Sequence, residues 1–235
     1  MKTVSRVIVI LTLVALALTF TVRTRPATAQ ERKKQDQNIR FLWAFGAIEK
    51  GEGEPKVIPV KRDMALKSGD LIKFFLKLEN KCFVYVIYHS SQGEVSVLFP
   101  YRFENLIKGY QPPAQCYIPQ GNEWFELDEN IGQETFYLLA SAKRLRGLEE
   151  LINKYETADP GRKQELVKTV LTEIRRLRWE NRKFKTYAER PVTTMGNLRG
   201  RKKVEAGGYP DVASEAVEIS GENFYSRAFT IDHQQ

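Results

Sequence analysis

Cys82 to Tyr88 reads CFVYVIY, apolar on both alternations. A strand sends successive side chains to opposite faces, so this run needs cover on both sides and belongs in the middle of a layered fold. Its neighbours share the character. Leu71 to Leu78 (LIKFFLKL) precedes it, after a Ser68-Gly69-Asp70 turn. Glu94 to Phe99 (EVSVLF) returns after the loop Ser90-Ser91-Gln92-Gly93 and stops at Pro100. Trp124 to Leu127 and Glu134 to Ala140 (ETFYLLA) continue the series around the turn Glu129-Asn130-Ile131-Gly132. Upstream, Ile39 to Ile48 (IRFLWAFGAI) is aromatic and branched, and Val57 to Val60 carries Pro59, which suits an edge strand. Short strands divided by turn signals predict an antiparallel β-sandwich over residues 38–142.

The period then changes, with Ser141 read as a cap. Leu145, Leu148, Leu151, Ile152 and Tyr155 fall at helical spacing. Asp159-Pro160 restarts a helix, Asp as cap and Pro at the first helical position. Leu166, Val170, Ile174 and Leu177 form an apolar stripe that Val167 and Leu171 widen. The pair reads as a helical hairpin over residues 143–185, packed on the β domain. Residues 186–210 lose periodicity and read as a basic flexible loop. Residues 211–235 supply two further strands, Val212 to Ile219 and Phe224 to Ile231, with Ser220-Gly221-Glu222-Asn223 turning between them and completing the β domain. The expected fold is mainly β with a helical insertion: an antiparallel β-sandwich plus a two-helix amphipathic hairpin.

The first 29 residues have a different character. Lys2 and Arg6 lead into Val7 to Val22, sixteen residues without charge, followed by Pro26 and the small-x-small run Ala27-Thr28-Ala29. That order is a secretory signal, with cleavage between Ala29 and Gln30 and a polar tether over residues 30–37. The run falls short of the ~20 residues of a membrane span, the alternative being an uncleaved anchor. No later segment is apolar enough to span. The expectation is export, to the periplasm or the extracellular space.

The chemistry-bearing residues are sparse. Cys82 and Cys116 are the two cysteines of the chain. Two readings stay open for them: a disulfide, worth roughly 3–4 kcal/mol by loop closure, or two reduced, buried thiols. Cys82 and His89 lie seven residues apart on one strand, about 23 Å and on opposite faces, which excludes a nucleophile–base pair. Cys116 with His89 or His233 is the pairing left geometrically open. The two histidines, 144 residues apart, make no zinc motif. Glu126, Asp128 and Glu129 form the densest acidic group of the sheet domain, without the glycine-spaced pattern of a calcium loop. Phosphate-binding glycine motifs are absent. Tyr101, Phe103, Tyr110 and Trp124 offer either a sugar or peptide platform or ordinary packing. No cofactor is implied and no catalytic residue stands out.

Charge is the most uneven feature. Residues 143–203 hold 18 Lys and Arg against 8 Asp and Glu, net +10; residues 30–142 carry −1 and residues 204–235 carry −5. The cations concentrate at Arg175, Arg176, Arg178, Arg182 and Lys183, then at Arg199, Arg201, Lys202 and Lys203. Cations complement the C-terminal end of a helix, but five within nine residues also repel one another. The excess points to an anionic partner: a membrane surface, an acidic envelope polymer or an unknown protein. The competing reading is a solvated face partly paired with Glu205, Asp211, Glu215 and Glu218. Export argues against nucleic acid.

The segment from Leu66 to about Leu148 contains LKSGDLIKFFLKLENKCFVYVIYHSSQGEVSVLFP and IPQGNEWFELDENIGQETFYLLAS. The Ser-Gly-Asp turn, the Tyr-containing central strand, the Gln-Gly loop, the Leu-Phe-Pro strand end and the Gly-Gln-Glu-Thr turn, in that order, resemble the domain-of-unknown-function 4384 family. The resemblance implies an extracytoplasmic β-sandwich module of a kind often attached to caspase-like or kinase domains in bacterial proteins. The family carries no assigned catalytic residues, so none transfers. These readings together predict an exported, non-enzymatic binding or accessory module of the bacterial cell envelope. A hydrolase or modifying enzyme of envelope polymers, and a structural component of an envelope or secretion assembly, are the alternatives.

Overall fold

Alternation along the central strands decides the architecture. The computed structural model describes residues 38–103, 115–184, 186–191 and 209–235, which fall within the compact unit Asp36–Gln235. One sheet runs in the order β10 (Thr186–Pro191), β11 (Val217–Glu222), β1 (Asn38–Ile48), β4 (Leu71–Leu78), β7 (Gln115–Ile118). Two short strands extend it, β2 (Ile58–Pro59) on β1 and β8 (Phe125–Glu126) on β4. The second sheet is ordered β3 (Met64–Lys67), β12 (Phe224–Gln234), β9 (Gly132–Ser141), β5 (Phe83–His89), β6 (Val95–Phe99). Between the sheets pack Phe41, Trp43, Phe45, Phe74 and Leu76 from the first, and Val84, Val86, Phe136, Leu138 and Phe229 from the second. Phe45 stacks on Phe74 at 4.1 Å and meets Phe136 and Phe229 edge-on at 5.1 and 5.3 Å, tying the two layers. Such ring pairs add about 0.5–1.5 kcal/mol each beyond area burial.

The intervening residues point outward and find their own cover. From β5, Tyr85 and Ile87 enter a second cluster with Leu148 and Ile152 of α1 (Arg146–Glu156) and Val167, Val170, Ile174 and Leu177 of α2 (Pro160–Glu180). The CFVYVIY run is therefore covered by the partner sheet on one side and the helical hairpin on the other. The outer face of the first sheet is closed by the 3-10 turn Val212–Glu215, where Val212 and Ala216 pack on Ala44 and Phe75. Gly46 permits that closure: a Cβ there would lie 2.6 Å from side-chain atoms of Val212 and Val57.

Several local expectations differ from the structure. Ser141 ends β9 rather than capping a helix; its Oγ accepts from Lys143 N at 3.3 Å, and α1 starts four residues after Ala142 with Leu145 at its N-cap. Asp159 and Pro160 take the expected cap and first positions of α2, without a side-chain capping bond. Residues 186–191, expected in a loop, form β10 on the edge of the first sheet. β11 and β12 do not make a hairpin. β11 pairs with β1 and β12 with β9, and Asn223 alone, at φ 52°, carries the chain from one sheet to the other. Asn tolerates that left-handed conformation better than most residues. A hairpin would have taken β11 away from the edge of β1 that it covers from Asn38 to Trp43.

Of the two readings left open for the cysteines, the structure shows the reduced, buried one. Cys82 and Cys116 are free, buried thiols in the inter-sheet core. Cys116 sits on β7 in the first sheet, and Cys82 immediately precedes β5 in the second. Burial pushes both thiols up to about 12. Ala29, Gln30, the tether and Arg199, Arg201, Lys202 and Lys203 lie outside the described residues.

Candidate functional site

The second helix distributes its arginines unequally. Arg176 is neutralised: it bonds Glu173 through Nε and Nη2, at 2.7 and 2.6 Å, and Glu180 through Nη1, at 2.5 Å. Arg175, Arg178 and Arg182 have no ion pair among the described residues. Arg175 donates to Thr172 Oγ1 at 3.1 Å. Arg182 donates to the Trp179 carbonyl at 2.8 Å, and its guanidinium lies 3.4 Å from the Trp179 ring centroid. Trp179 is 65% exposed. With Arg175, Arg178, Arg182 and Ser226 of β12 it borders an open, shallow recess. Positions 175, 178 and 179 are spaced i, i+3, i+4, which places them on one helix face, and Arg182, in the turn after the Asn181 cap, joins them through its stack on Trp179. Lys183 lies apart, its Nζ 5.5 Å from the ring centre of Phe184.

Two of the acidic C-terminal residues, Glu218 and Asp211, are engaged elsewhere. Glu218 accepts from Arg40 at 2.7 Å on the first sheet. Asp211 caps the 3-10 turn through Ala213 N at 2.8 Å and accepts from the Tyr117 hydroxyl at 3.1 Å. Neither reaches α2, and Glu205 lies outside the described residues.

A second polar constellation joins elements remote in sequence. The Ser68 hydroxyl meets His233 Nε2 at 3.0 Å. His233 Nδ1 faces Glu134 Oε1 at 3.8 Å, with the two side chains 1% and 3% exposed. The order serine, imidazole, carboxylate is that of a hydrolase relay. Its surroundings do not serve acyl transfer. The 3.8 Å separation is too long for a hydrogen bond, and Nδ1 has no partner among the described residues. Glu134 is held through its other oxygen, Oε2, which accepts from the Tyr88 hydroxyl at 2.5 Å and Ser91 N at 3.2 Å. The amides of the turn are taken up among the described residues: Ser68 N donates to Gln234 O, Gly69 N to Leu127 O and Asp70 N to Lys67 O, which leaves none of them to an oxyanion. The Asp70 carboxylate receives Lys50 N and Lys67 N, so the turn is tied at every polar group named. The constellation fastens β3, β9, β12 and the loop after β5.

The remaining sequence candidates are dispersed. Asp128 accepts from Asn130 N and Nδ2 at 2.8 and 2.7 Å, which lowers its pKa and makes the acidic group a closed turn. Phe103 packs in the hairpin cluster near Tyr85, whereas Trp124 joins the outer cluster of the first sheet beside Tyr209. The Tyr101 hydroxyl donates to the Tyr117 carbonyl. Tyr110 lies outside the described residues, and the other three make no common platform. Lys73, fully buried on β4, donates to the Gly121 carbonyl at 2.8 Å and lies 5.2 and 5.4 Å from the Tyr117 and Trp124 ring centres. His89 contacts no cysteine among the described hydrogen bonds; partial burial lowers its pKa.

Comparison with known proteins bears on this geography. Residues 65–144 match the family Domain of unknown function (DUF4384). The matched segment runs from β3 through β9 to the approach to α1. It contains Ser68 and Glu134, while His233 comes from outside it. The Trp179 face also lies wholly outside the DUF4384 segment. No curated protein and no solved structure matches the chain.

Sequence reasoning named the arginines as a run and missed Trp179. The signal was present in the spacing of 175, 178, 179 and 182, which separates these residues from Arg176. The Ser68–Glu134–His233 cluster left no local signal, because three separate strand ends assemble it.

Proposed function

We propose that this chain is an exported, non-enzymatic binding or accessory module of the bacterial cell envelope that engages an anionic partner through its second helix. The observation that carries the reading is the exposed Trp179 set among Arg175, Arg178 and Arg182, three cations without a carboxylate partner among the described residues. Exposed charges of one sign raise the local concentration of a counter-charged ligand, and an adjacent aromatic adds contact area. Export rests on the basic, apolar and small-residue order of residues 2–29. The engagement of Glu218 by Arg40, and of Asp211 by Tyr117 and the 3-10 turn, favours this reading over a self-paired surface.

Retention on immobilised polyglutamate across a salt gradient tests it. The protein should elute earlier when Arg175, Arg178 and Arg182 are changed to Gln. Arg176→Gln, which removes a cation already held by two carboxylates, should have little effect. Equal effects from Arg176→Gln and any of the other three would sink the reading.

The alignment of Ser68, His233 and Glu134 favours one alternative, a hydrolase of envelope polymers. The engaged amides around Ser68 weigh against it.

A further inference from the structure

The geometry points to an anionic phospholipid bilayer as the surface on which the Trp179 face docks. We propose that Trp179 enters the interfacial layer while Arg175, Arg178 and Arg182 meet lipid phosphates. This rests on the anionic-partner reading and names the class of partner.

Four observations converge. Trp179 is 65% exposed, and an indole, apolar with one polar N–H, is most favourably placed at a lipid–water boundary. Arg175 and Arg178 share its helix face and Arg182 joins them from the following turn, and their long apolar stems let the charged ends reach phosphates while the ring lies deeper. No carboxylate pairs with them among the described residues: Glu173 and Glu180 are held by Arg176, and the wall across the recess is the uncharged Ser226. Finally, the face is open and lacks the converging polar groups that a shaped peptide site requires. A sugar polymer would stack on the ring, but the Arg182 guanidinium, 3.4 Å from the centroid, covers one ring face. Insertion by the ring edge needs neither face clear.

One aromatic anchor and three cations make a reversible contact. Near an anionic leaflet each cation contributes about fivefold to affinity, so three supply on the order of a hundredfold. The attraction is screened beyond ~8 Å at physiological ionic strength.

The experiment uses the protein as the cell processes it, with vesicles of phosphatidylcholine alone or mixed with phosphatidylglycerol. Cosedimentation should appear with phosphatidylglycerol and not with phosphatidylcholine alone. Changing Arg175, Arg178 and Arg182 together to Gln should weaken it on the order of a hundredfold, with circular dichroism unchanged. Trp179 fluorescence, obtained as the difference between the protein and Trp179→Phe, should become shielded from acrylamide on vesicle addition. Trp43, 3% exposed, stays shielded throughout. If Trp179 remains equally quenchable on phosphatidylglycerol vesicles while polyglutamate still captures the protein in a salt-sensitive way, the anionic partner survives and the bilayer does not. Absence of binding to both probes overturns both.

Discussion

Removing the hydroxyl of Tyr85 should loosen the hairpin from the sheet. Tyr85 is fully buried on β5, and its hydroxyl donates to Glu149 Oε1 at 2.6 Å while accepting from Leu145 N at 3.1 Å. Glu149, 6% exposed, also pairs with Arg144. One phenol therefore holds both the N-cap amide of α1 and the carboxylate of its first turn. Burial, with the nearby carboxylate second, keeps that phenol protonated far above the usual tyrosine range. Tyr85→Phe preserves the ring, leaves the Leu145 amide without its acceptor and takes one of two donors from Glu149 Oε1, the other being Arg144 Nε at 3.2 Å, which costs about 1–3 kcal/mol. For a domain of this size that lowers the melting temperature by about 2–12 °C. Glu149→Ala removes the shared partner and strands Arg144, a larger loss of about 3–5 kcal/mol. Because both changes break one network, the double variant should fall short of additivity by about 0.5–3 kcal/mol. Denaturant unfolding of the four proteins measures this, and hydrogen exchange should quicken in α1 before the sheets. A Tyr85→Phe variant within about 0.5 kcal/mol of the parent, additive with Glu149→Ala, would refute the reasoning.

Three further outcomes are expected. At pH 8 the raised values of Cys82 and Cys116, about 12 each, leave on the order of one thiol in ten thousand ionised, so neither should react with a thiol reagent until unfolding, when both should. Recovery of only oxidised cysteine from unfolded protein would contradict the free-thiol geometry. A serine-directed fluorophosphonate should leave Ser68 unlabelled, because its turn offers no free amide to an oxyanion; stoichiometric labelling lost in His233→Asn would restore the hydrolase. Intact mass of exported protein should place the amino terminus at Gln30 within a few residues, and full-length chain in the membrane fraction would contradict cleavage.

The fold was legible wherever burial had a period. Strand β4 falls on Leu71–Leu78 as the sequence reads, and the α2 stripe of Val170, Ile174 and Leu177 faces the sheet. The two-sided apolarity of CFVYVIY announced two covers. It did not say which elements supplied them. Strands β3 and β7, four residues each, are too short for alternation to stand out, and β10 (TYAERP) carries polar residues suited to an edge. The separation of β11 from β12 was hidden because Ser220-Gly221-Glu222-Asn223 has hairpin composition. What decides between a hairpin and a crossover is the open edge of β1, a tertiary fact.

The candidate site was half legible for a related reason. A count of cations treats Arg175, Arg176 and Arg178 alike; helix phase does not. Arg176 has Glu173 three residues before it and Glu180 four after, and both bonds form. Arg175 and Arg178 stand three apart on the helix, so each meets another cation at the spacing where a carboxylate would help, and Arg182 adds a third from the turn that follows. Like charges at that spacing cost about 0.2–0.5 kcal/mol per pair. The Arg182 stack on Trp179 recovers part of that cost but does not separate the charges. A helix that needed only solubility has a working solution on its Arg176 side, with charges paired along the surface. The neighbouring face repeats the cation, omits the acid and exposes an indole. The helix dipole and the Arg182 stack account for part of this arrangement locally, and contact with an anionic surface gives all three choices a use.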